Sequence, residues 1–275
     1  MRDLDDKVVA ITGAGSGIGR ALAHAFAAEG ARLALSDIDE AAVTATAAAL
    51  PGAVAHRVDV GDRDAIAAWA ADINERFGRI NLIVNNAGVA LSGTVAALTL
   101  ADYEHVMRVN FWGVVHGTQL FLPHLEASGE GHIVNISSVF GLTAQPFLSA
   151  YNASKFAVRG FTESLRQELD LARSCVSATC VHPGGIRTAI VRSARMDESV
   201  ARATGRSTDE TAREFERLFI NTPEAAARAI VRGVRQDRRR VLIGPDARVF
   251  DLCQRLMPAA YQRLTTGIVR WRSRR

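Results

Sequence analysis

Cysteine is scarce in this chain. Cys175, Cys180 and Cys253 are the whole supply in 275 residues, too few and too scattered for a disulfide framework or a zinc site, and they read as small core residues. Long apolar runs are missing as well. No stretch approaches the roughly 18 residues a membrane span requires, and the opening Met1-Arg2-Asp3-Leu4-Asp5-Asp6-Lys7 has no apolar signal segment; the expectation is a soluble, cytoplasmic protein. No Pro/Gly/Ser-rich linker divides the sequence, so 275 residues of 48% hydrophobic content read as one α/β domain with a full core. Lysine is the rarest base, with Lys7 and Lys155 standing among 33 basic residues that are otherwise arginine.

The charge is uneven. From Arg228 onward thirteen arginines face three aspartates, a balance of +10, which leaves −6 for the rest of a chain of net charge +4. A basic tail on an acidic body raises the possibility of an anionic partner such as lipid headgroups or nucleic acid. A nucleic-acid role is not expected, because the arginines lack interleaved aromatics and a reading element.

Short aliphatic runs alternate with Ala-rich helical stretches. Strands are expected at 8–12, 32–36, 54–58, 82–84, 132–136, 176–181 and 241–243, with helices beginning near Gly17, Glu40, Arg63, Ala101, Ala150 and Pro223. Strand runs without polar alternation, separated by helices, indicate a Rossmann-like doubly wound parallel sheet of about seven strands covered on both faces. The first strand-to-helix turn reads Thr12-Gly13-Ala14-Gly15-Ser16-Gly17-Ile18-Gly19. Its glycines permit a sharp turn and let a pyrophosphate approach the helix N-terminus, where free N–H groups and the dipole favour anions. Gly13, Ser16, Gly17, Ile18 and Gly19 are therefore candidate dinucleotide contacts. Asp37 follows the second strand, placed to accept from an adenosine ribose and to repel a 2′-phosphate by a few kcal/mol at intermediate dielectric. That favours NAD, while Arg20 and Arg32 leave room for NADP. Alternatively, Asp37 caps the helix beginning near Glu40.

Lys155 lies four residues after Tyr151, which puts both side chains on one helix face. A retained ammonium in an arginine-rich chain suggests a task for a compact charge with rotatable donors. The bland alternative is a surface lysine beside a half-buried tyrosine. Unaided, a phenol titrates near 10, but a cation about 4 Å away at an effective dielectric of 20 is worth roughly 4 kcal/mol, about three pKa units.

Together these motifs resemble the short-chain dehydrogenase/reductase family from about Lys7 to Ile243. The matching features are Thr12-Gly13-x-x-x-Gly17-x-Gly19, Asp59-Val60, Asn85-Asn86-Ala87-Gly88, Asn110, Ser138, Tyr151-x-x-x-Lys155 and Pro183-Gly184, with Tyr151 thirteen positions after Ser138. The resemblance implies Tyr151 as general acid/base, Lys155 as its cation and ribose anchor, Ser138 as the substrate-oxygen partner, and Asn110 as holder of a water linking the lysine to solvent. Helix bending is a plainer role for Asn110, whose amide competes with the backbone. It also implies that Asp59 and Val60 contact the adenine, that Asn86, Ala87 and Gly88 flank the adenosine side, and that Ile186 and Thr188 reach the nicotinamide end from the loop Pro183-Gly184-Gly185-Ile186-Arg187-Thr188. The doubled glycine is expected to loosen that loop. Ser137 and His182, neighbours of these positions, read as structural.

Residues 1–245 are expected to form the catalytic domain, with a charged lid at about 188–222 carrying Arg192, Arg195, Asp197, Glu198, Arg202 and Arg206 and a helical patch at 211–219. Leu91, Val139, Phe140 and Phe147 are apolar candidates for the substrate side. Residues 246–275 form a basic amphipathic extension in which Val249, Cys253, Leu256, Ala260, Leu264, Ile268 and Trp271 recur at helical spacing around Pro258. Packing on its own domain or on a neighbouring subunit is the expected use of that stripe; peripheral membrane contact is the second. The function expected is hydride transfer between NAD, or NADP, and a fairly hydrophobic alcohol or ketone, and the family resemblance implies a homodimer or homotetramer. An NAD-binding regulator or scaffold and a sugar-nucleotide epimerase or dehydratase are the alternatives.

Overall fold

The computed structural model describes residues 1–188, 195–217 and 219–272, without the side chains of 212, 214–217 and 272. Arg192 of the expected lid, and Arg274 and Arg275 of the tail, lie outside the described residues. The strands are β1 (Val8–Thr12), β2 (Arg32–Asp37), β3 (Val54–Arg57), β4 (Leu82–Asn85), β5 (Leu91–Ser92), β6 (Gly131–Ile136), β7 (Val176–Pro183), β8 (Arg195–Met196) and β9 (Arg240–Ile243). Seven of them form one parallel sheet in the order β3-β2-β1-β4-β6-β7-β9, and the two-residue β5 and β8 pair with each other. The helices are α1 (Gly17–Ala28), α2 (Glu40–Ala48), α3 (Arg63–Phe77), α4 (Leu100–Met107), α5 (Gly113–Ala127), α6 (Ser149–Leu171), α7 (Glu198–Thr204), α8 (Thr208–Arg217), α9 (Pro223–Arg235), α10 (Pro245–Leu256) and α11 (Tyr261–Arg272). The chain winds outward from β1 to β3, returns past β1 to β4, and winds the other way. A doubly wound sheet opens a crevice at the carboxyl ends of the strands where the order reverses, here between β1 and β4.

All five residues of β1 are buried. Val9 and Ile11 enter the layer containing Leu22 and Phe26 of α1 and Ile230 and Val234 of α9. Val8 and Ala10 enter the opposite layer with Ile66 and Trp69 of α3, Phe121 of α5 and Leu165 of α6. That two-sided burial is why the strands read as unbroken apolar runs. Each fully buried aliphatic or aromatic side chain contributes about 1.5–3 kcal/mol, and Phe26→Ala, which would open a cavity between β1 and α1, should cost about 3–5 kcal/mol.

Three expectations change. The stretch 188–222, read as a charged lid with one helical patch, also contains β8 and α7: Asp197 caps α7 by accepting from the Ser199 N–H, and its own N–H bonds the Ser92 carbonyl at 2.8 Å. The helical patch at 211–219 is accordingly α8, and Leu218 lies outside the described residues. Cys175 is exposed, since it sits in the turn leading into β7, and Cys253 is only partly covered; Cys180 alone is buried. The helix expected from Ala101 is broken into α4 and α5 by a π-helical turn at Arg108–Trp112, with Asn110 at its middle. Among the described residues no helix is long and apolar enough to cross a membrane.

Candidate active site

Ser138, Tyr151, Lys155 and Asn110 come from three elements. Ser138 follows β6, in extended conformation, and its hydroxyl oxygen accepts the Phe140 N–H at 3.1 Å. Accepting there leaves its own hydrogen to donate. Neighbouring Ser137 is committed elsewhere, donating to the Lys155 carbonyl at 2.8 Å and so locking α6 against β6. Tyr151 and Lys155 lie on the first turns of α6. Lys155 is 3% exposed, donates to the Ile136 carbonyl at 2.9 Å, and holds its Nζ 5.7 Å from the Tyr151 ring centroid. Burial lowers its pKa to about 8, which leaves it cationic at neutral pH.

The phenol departs from the expected lowering. Although the ring keeps some solvent contact, burial pushes the Tyr151 pKa up, and the Ser138 hydroxyl works against that rise. Against that rise the Lys155 ammonium, held over the same ring, favours the phenolate. Spacing in the sequence showed the cation but not the desolvation, which can shift a fully buried group by three units or more.

Asn110, fully buried, accepts the Val89 N–H at 2.8 Å and donates to the Val89 carbonyl at 2.9 Å and to Ser154 at 3.1 Å. Its amide ties the π-helical turn to the segment after β4. A Cβ added to Gly88 would sit 3.2 Å from the Asn110 Oδ1 and 3.5 Å from the Lys155 Nζ, so Gly88, Asn110 and Lys155 converge.

The glycine turn lies across the β1–β4 crevice. Gly13 has a φ of +66°, and a Cβ on Gly19 would overlap the Gly13 carbonyl at 2.1 Å; both positions demand glycine. Asn86 braces the turn, donating to the carbonyls of Thr12 at 2.9 Å and Gly13 at 3.2 Å, while the Thr12 hydroxyl accepts the N–H groups of Asn86 and Ala87. Asp37 accepts the Gly15 N–H at 2.8 Å. Asp39, not Asp37, caps α2 by accepting from Ala42. Arg32 sits at the opposite end of the sheet, over the Phe77 ring and near Asp6, out of reach of any group beside Asp37. Arg57, passed over in the sequence, is paired with Asp37 in the β2–β3 register. Asp59 pairs with Arg108 at 2.8 Å and accepts the Gly61 N–H at 2.9 Å; burial pushes its pKa up, but these partners outweigh it and hold it below the usual range. Val60 is buried, and a Cβ on Gly113 would meet its side chain at 2.8 Å.

The loop after β7 is tied down, contrary to expectation. The Gly185 N–H donates to Asp246 at 2.6 Å, the Asn221 amide donates to Asp246 at 3.1 Å and to the Gly185 carbonyl at 3.1 Å, and the Arg187 N–H donates to the Asn221 carbonyl at 2.9 Å. A Cβ on Gly184 would lie 2.2 Å from the Asp246 carboxylate, and one on Gly244 would lie 2.3 Å from it. The glycines make room for this carboxylate. Ile186 is buried and bridged to Asn221, and the Thr188 methyl lies 3.0 Å from where a Gly17 Cβ would stand. His182 donates from Nδ1 to the Ser138 carbonyl at 3.0 Å; burial lowers its pKa to about 4, so it is a neutral prop for Ser138.

Similarity to known proteins agrees with this fold. The profile of the short chain dehydrogenase family matches residues 7–199. The chain belongs to the short-chain dehydrogenase/reductase family. SadH of Mycobacterium tuberculosis, named as an oxidoreductase, is 49% identical over 272 residues, covering 97% of this chain and 96% of that protein. A short-chain dehydrogenase/reductase from Burkholderia phymatum, solved in complex with NAD, shares 31% identity with a TM-score of 0.84 and covers 93% of this chain and 95% of its own. Levodione reductase shares 28% identity with a TM-score of 0.76, covering 90% and 98%.

As a short-chain dehydrogenase/reductase the protein is an oxidoreductase, and its crevice fits a nicotinamide dinucleotide. Asp39, Asp62, Thr99, Asp197 and Thr222 cap α2, α3, α4, α7 and α9, but Ser16 makes no side-chain cap on α1, whose first turn carries no acidic residue. The α1 N-terminus thus presents uncapped N–H groups to the crevice, the requirement for a phosphate. Of the apolar candidates for the substrate side, Phe140 stands edge-on to Tyr151 with centroids 6.4 Å apart, and Phe147, with a φ of +66°, is strained and half-buried. Leu91 and Val139 are instead buried in packing, at 5% and 4% exposure. Asp246 and Asn221 were missed as contributors, while His182, read as structural, is the prop of the Ser138 carbonyl. The Gly244-Pro245-Asp246 run, a helix start with an acid in its first turn, was the available signal for the first of them.

Proposed function

We propose that the protein interconverts a secondary alcohol and a ketone on a fairly hydrophobic small molecule, with NAD preferred to NADP. The observation that carries the reading is the buried Ser138–Tyr151–Lys155 cluster at the carboxyl end of β6, beside the crevice. A bound nicotinamide supplies or accepts the hydride at the substrate carbon and, when oxidised, adds a positive charge beside the phenol. In reduction the Ser138 hydroxyl donates to the carbonyl oxygen; as that oxygen gains the electron pair of its C=O bond, it takes the Tyr151 proton. Lys155 stabilises the phenolate left behind, and a proton from solvent restores it. Oxidation runs the same transfers in reverse, with the phenolate as base. Asn110 fixes the segment that lies against Lys155. The NAD preference rests on Asp37, whose carboxylate would face a 2′-phosphate. By family likeness the expected assembly is a homodimer or homotetramer.

The test is a screen of alcohols and ketones of graded size with NAD and NADP, following the reduced nicotinamide, with Tyr151→Phe as control. The variant should lose about 100-fold or more in kcat, the scale of general acid/base catalysis, while binding NADH normally. No turnover by the wild type, with its cofactor-dependent behaviour unchanged in Tyr151→Phe, would favour the regulator or scaffold, and turnover of only small polar alcohols would refute the hydrophobic substrate.

A further inference from the structure

The last two helices keep their apolar stripes turned away from the domain. Val249, Leu252 and Leu256 of α10 are 59%, 56% and 71% exposed, and Leu264, Ile268 and Trp271 of α11 are 55%, 53% and 55% exposed. At 100° per residue each trio falls within an arc of about 60°. Ala247, fully buried, lies on the far side of α10 from this trio, and each helix is held to the domain at its first turn: Asp246 meets the loop after β7, and Tyr261, 9% exposed, accepts the Ala144 N–H at 3.0 Å through its hydroxyl. The expected packing of the stripe on its own domain is therefore not what the structure has.

Charge indicates what covers the stripes. Arg248 and Arg255 flank the α10 trio, and Arg263 and Arg270 flank that of α11; all four are exposed. The segment Tyr261–Arg272 contains no acidic residue, and the two acids of α10 are engaged, Asp246 with Gly185 and Asn221, Asp251 with Arg240 and Arg255. Outward, the two helices offer apolar side chains bordered by an excess of positive charge, although Arg255 shares Asp251 with Arg240. Two copies meeting with antiparallel helices across a twofold axis would set arginine rows against each other, whereas a helix with Leu, Ile and Trp on one arc and arginines beside it lies well in an anionic headgroup layer. We propose that α10 and α11 form a docking surface for an anionic lipid membrane. Because Tyr261 touches the segment after Ser138 and Asp246 touches the loop after β7, docking would bring the rim of the candidate active site to the bilayer, where an apolar substrate partitions.

The test is flotation of the full chain with vesicles of phosphatidylcholine alone or with about one-third phosphatidylserine, at low salt and at about 0.5 M salt, where the Debye length shrinks to a few ångströms. Binding should require phosphatidylserine and be lost in salt. Each basic residue near such a surface multiplies the partition coefficient roughly fivefold, so the triple variant Arg248→Gln/Arg263→Gln/Arg270→Gln should bind about 100-fold more weakly. Leu256→Ser/Leu264→Ser/Ile268→Ser should also release the protein, with an unchanged thermal melt, since all three positions are exposed. Failure of the wild-type chain to float with anionic vesicles at low salt overturns the proposal. So does an apolar variant that splits a soluble oligomer where the wild type shows no lipid binding, which would assign the surface to a second copy of the chain.

Discussion

Removing the Asp246 carboxylate should loosen the loop that carries Ile186 and Thr188, and so weaken cofactor binding from a residue outside the recognised motifs. The carboxylate accepts the Gly185 N–H at 2.6 Å and the Asn221 amide at 3.1 Å. A charge-assisted hydrogen bond contributes about 1.5–3 kcal/mol. Asp246→Ala forfeits both, so the set loop geometry loses about 3 kcal/mol or more relative to its alternatives. If the loop binds cofactor only when set, the apparent affinity falls with the population of that state, by up to about 100-fold. Asp246→Asn keeps an acceptor without the charge and should lose about five- to tenfold. Gly184→Ala attacks the same contact from the other side, because its Cβ would stand 2.2 Å from the carboxylate. NADH binding by fluorescence titration, read beside the thermal melt of the free protein, separates the outcomes. A normal NADH dissociation constant in Asp246→Ala, with only the melting temperature lowered, would refute the reasoning and reduce Asp246 to a stabiliser of α10.

Two further outcomes follow from the charges. Asp37→Ser should move the ratio of kcat/KM values toward NADP by roughly 10- to 100-fold, since a carboxylate about 4 Å from a phosphate charge costs a few kcal/mol at intermediate dielectric; Arg57→Gln in that background should take back part of the gain, and an unchanged ratio would remove Asp37 from cofactor choice. Burial lowers His132 and His182 to pKa values of about 4, against about 6.5 in an unfolded chain. Their depressed folded values mean that the associated stability is complete above pH 6.5 and is lost as pH falls toward 4, by about 2 kcal/mol per histidine at pH 5. Urea unfolding at pH 8 and pH 5 should show that loss, and His132→Asn should recover about half of it; a flat profile for the wild-type chain would contradict the buried neutral state of both rings.

What was legible in the sequence, and what was not, divides along a physical line. The strands and most helix starts were legible because a sheet covered on both faces writes itself as unbroken apolar runs: β1, β4 and β7 stand within two residues of their expected ends. The glycine turn and the Tyr151–Lys155 pair were legible because each is a local pattern whose geometry one element sets. Asn110 was a partial signal, an amide in a helix where an amide is awkward, and the structure answers with a π-helical turn and two bonds to Val89. Contacts made across long stretches of chain left no such mark. Asp246 reaches Gly185 across 61 residues, so Gly184-Gly185 read as slack where it is in fact space cleared for a carboxylate. The tail shows a different limit: a repeat of three and four residues defines a helix face, but the repeat is the same whether that face meets a core, a second subunit or lipid. Its exposed side can be read only from the folded chain, where Ala247 and Tyr261 are already spent on the domain. The phenol of Tyr151 follows the same rule, for the sequence placed its cation while only the folded surroundings set the desolvation against which that cation works. The protonation state that the proposed chemistry needs is thus a property of the assembled crevice, so in the pH profile of kcat Lys155→Met should be impaired more at neutral than at alkaline pH.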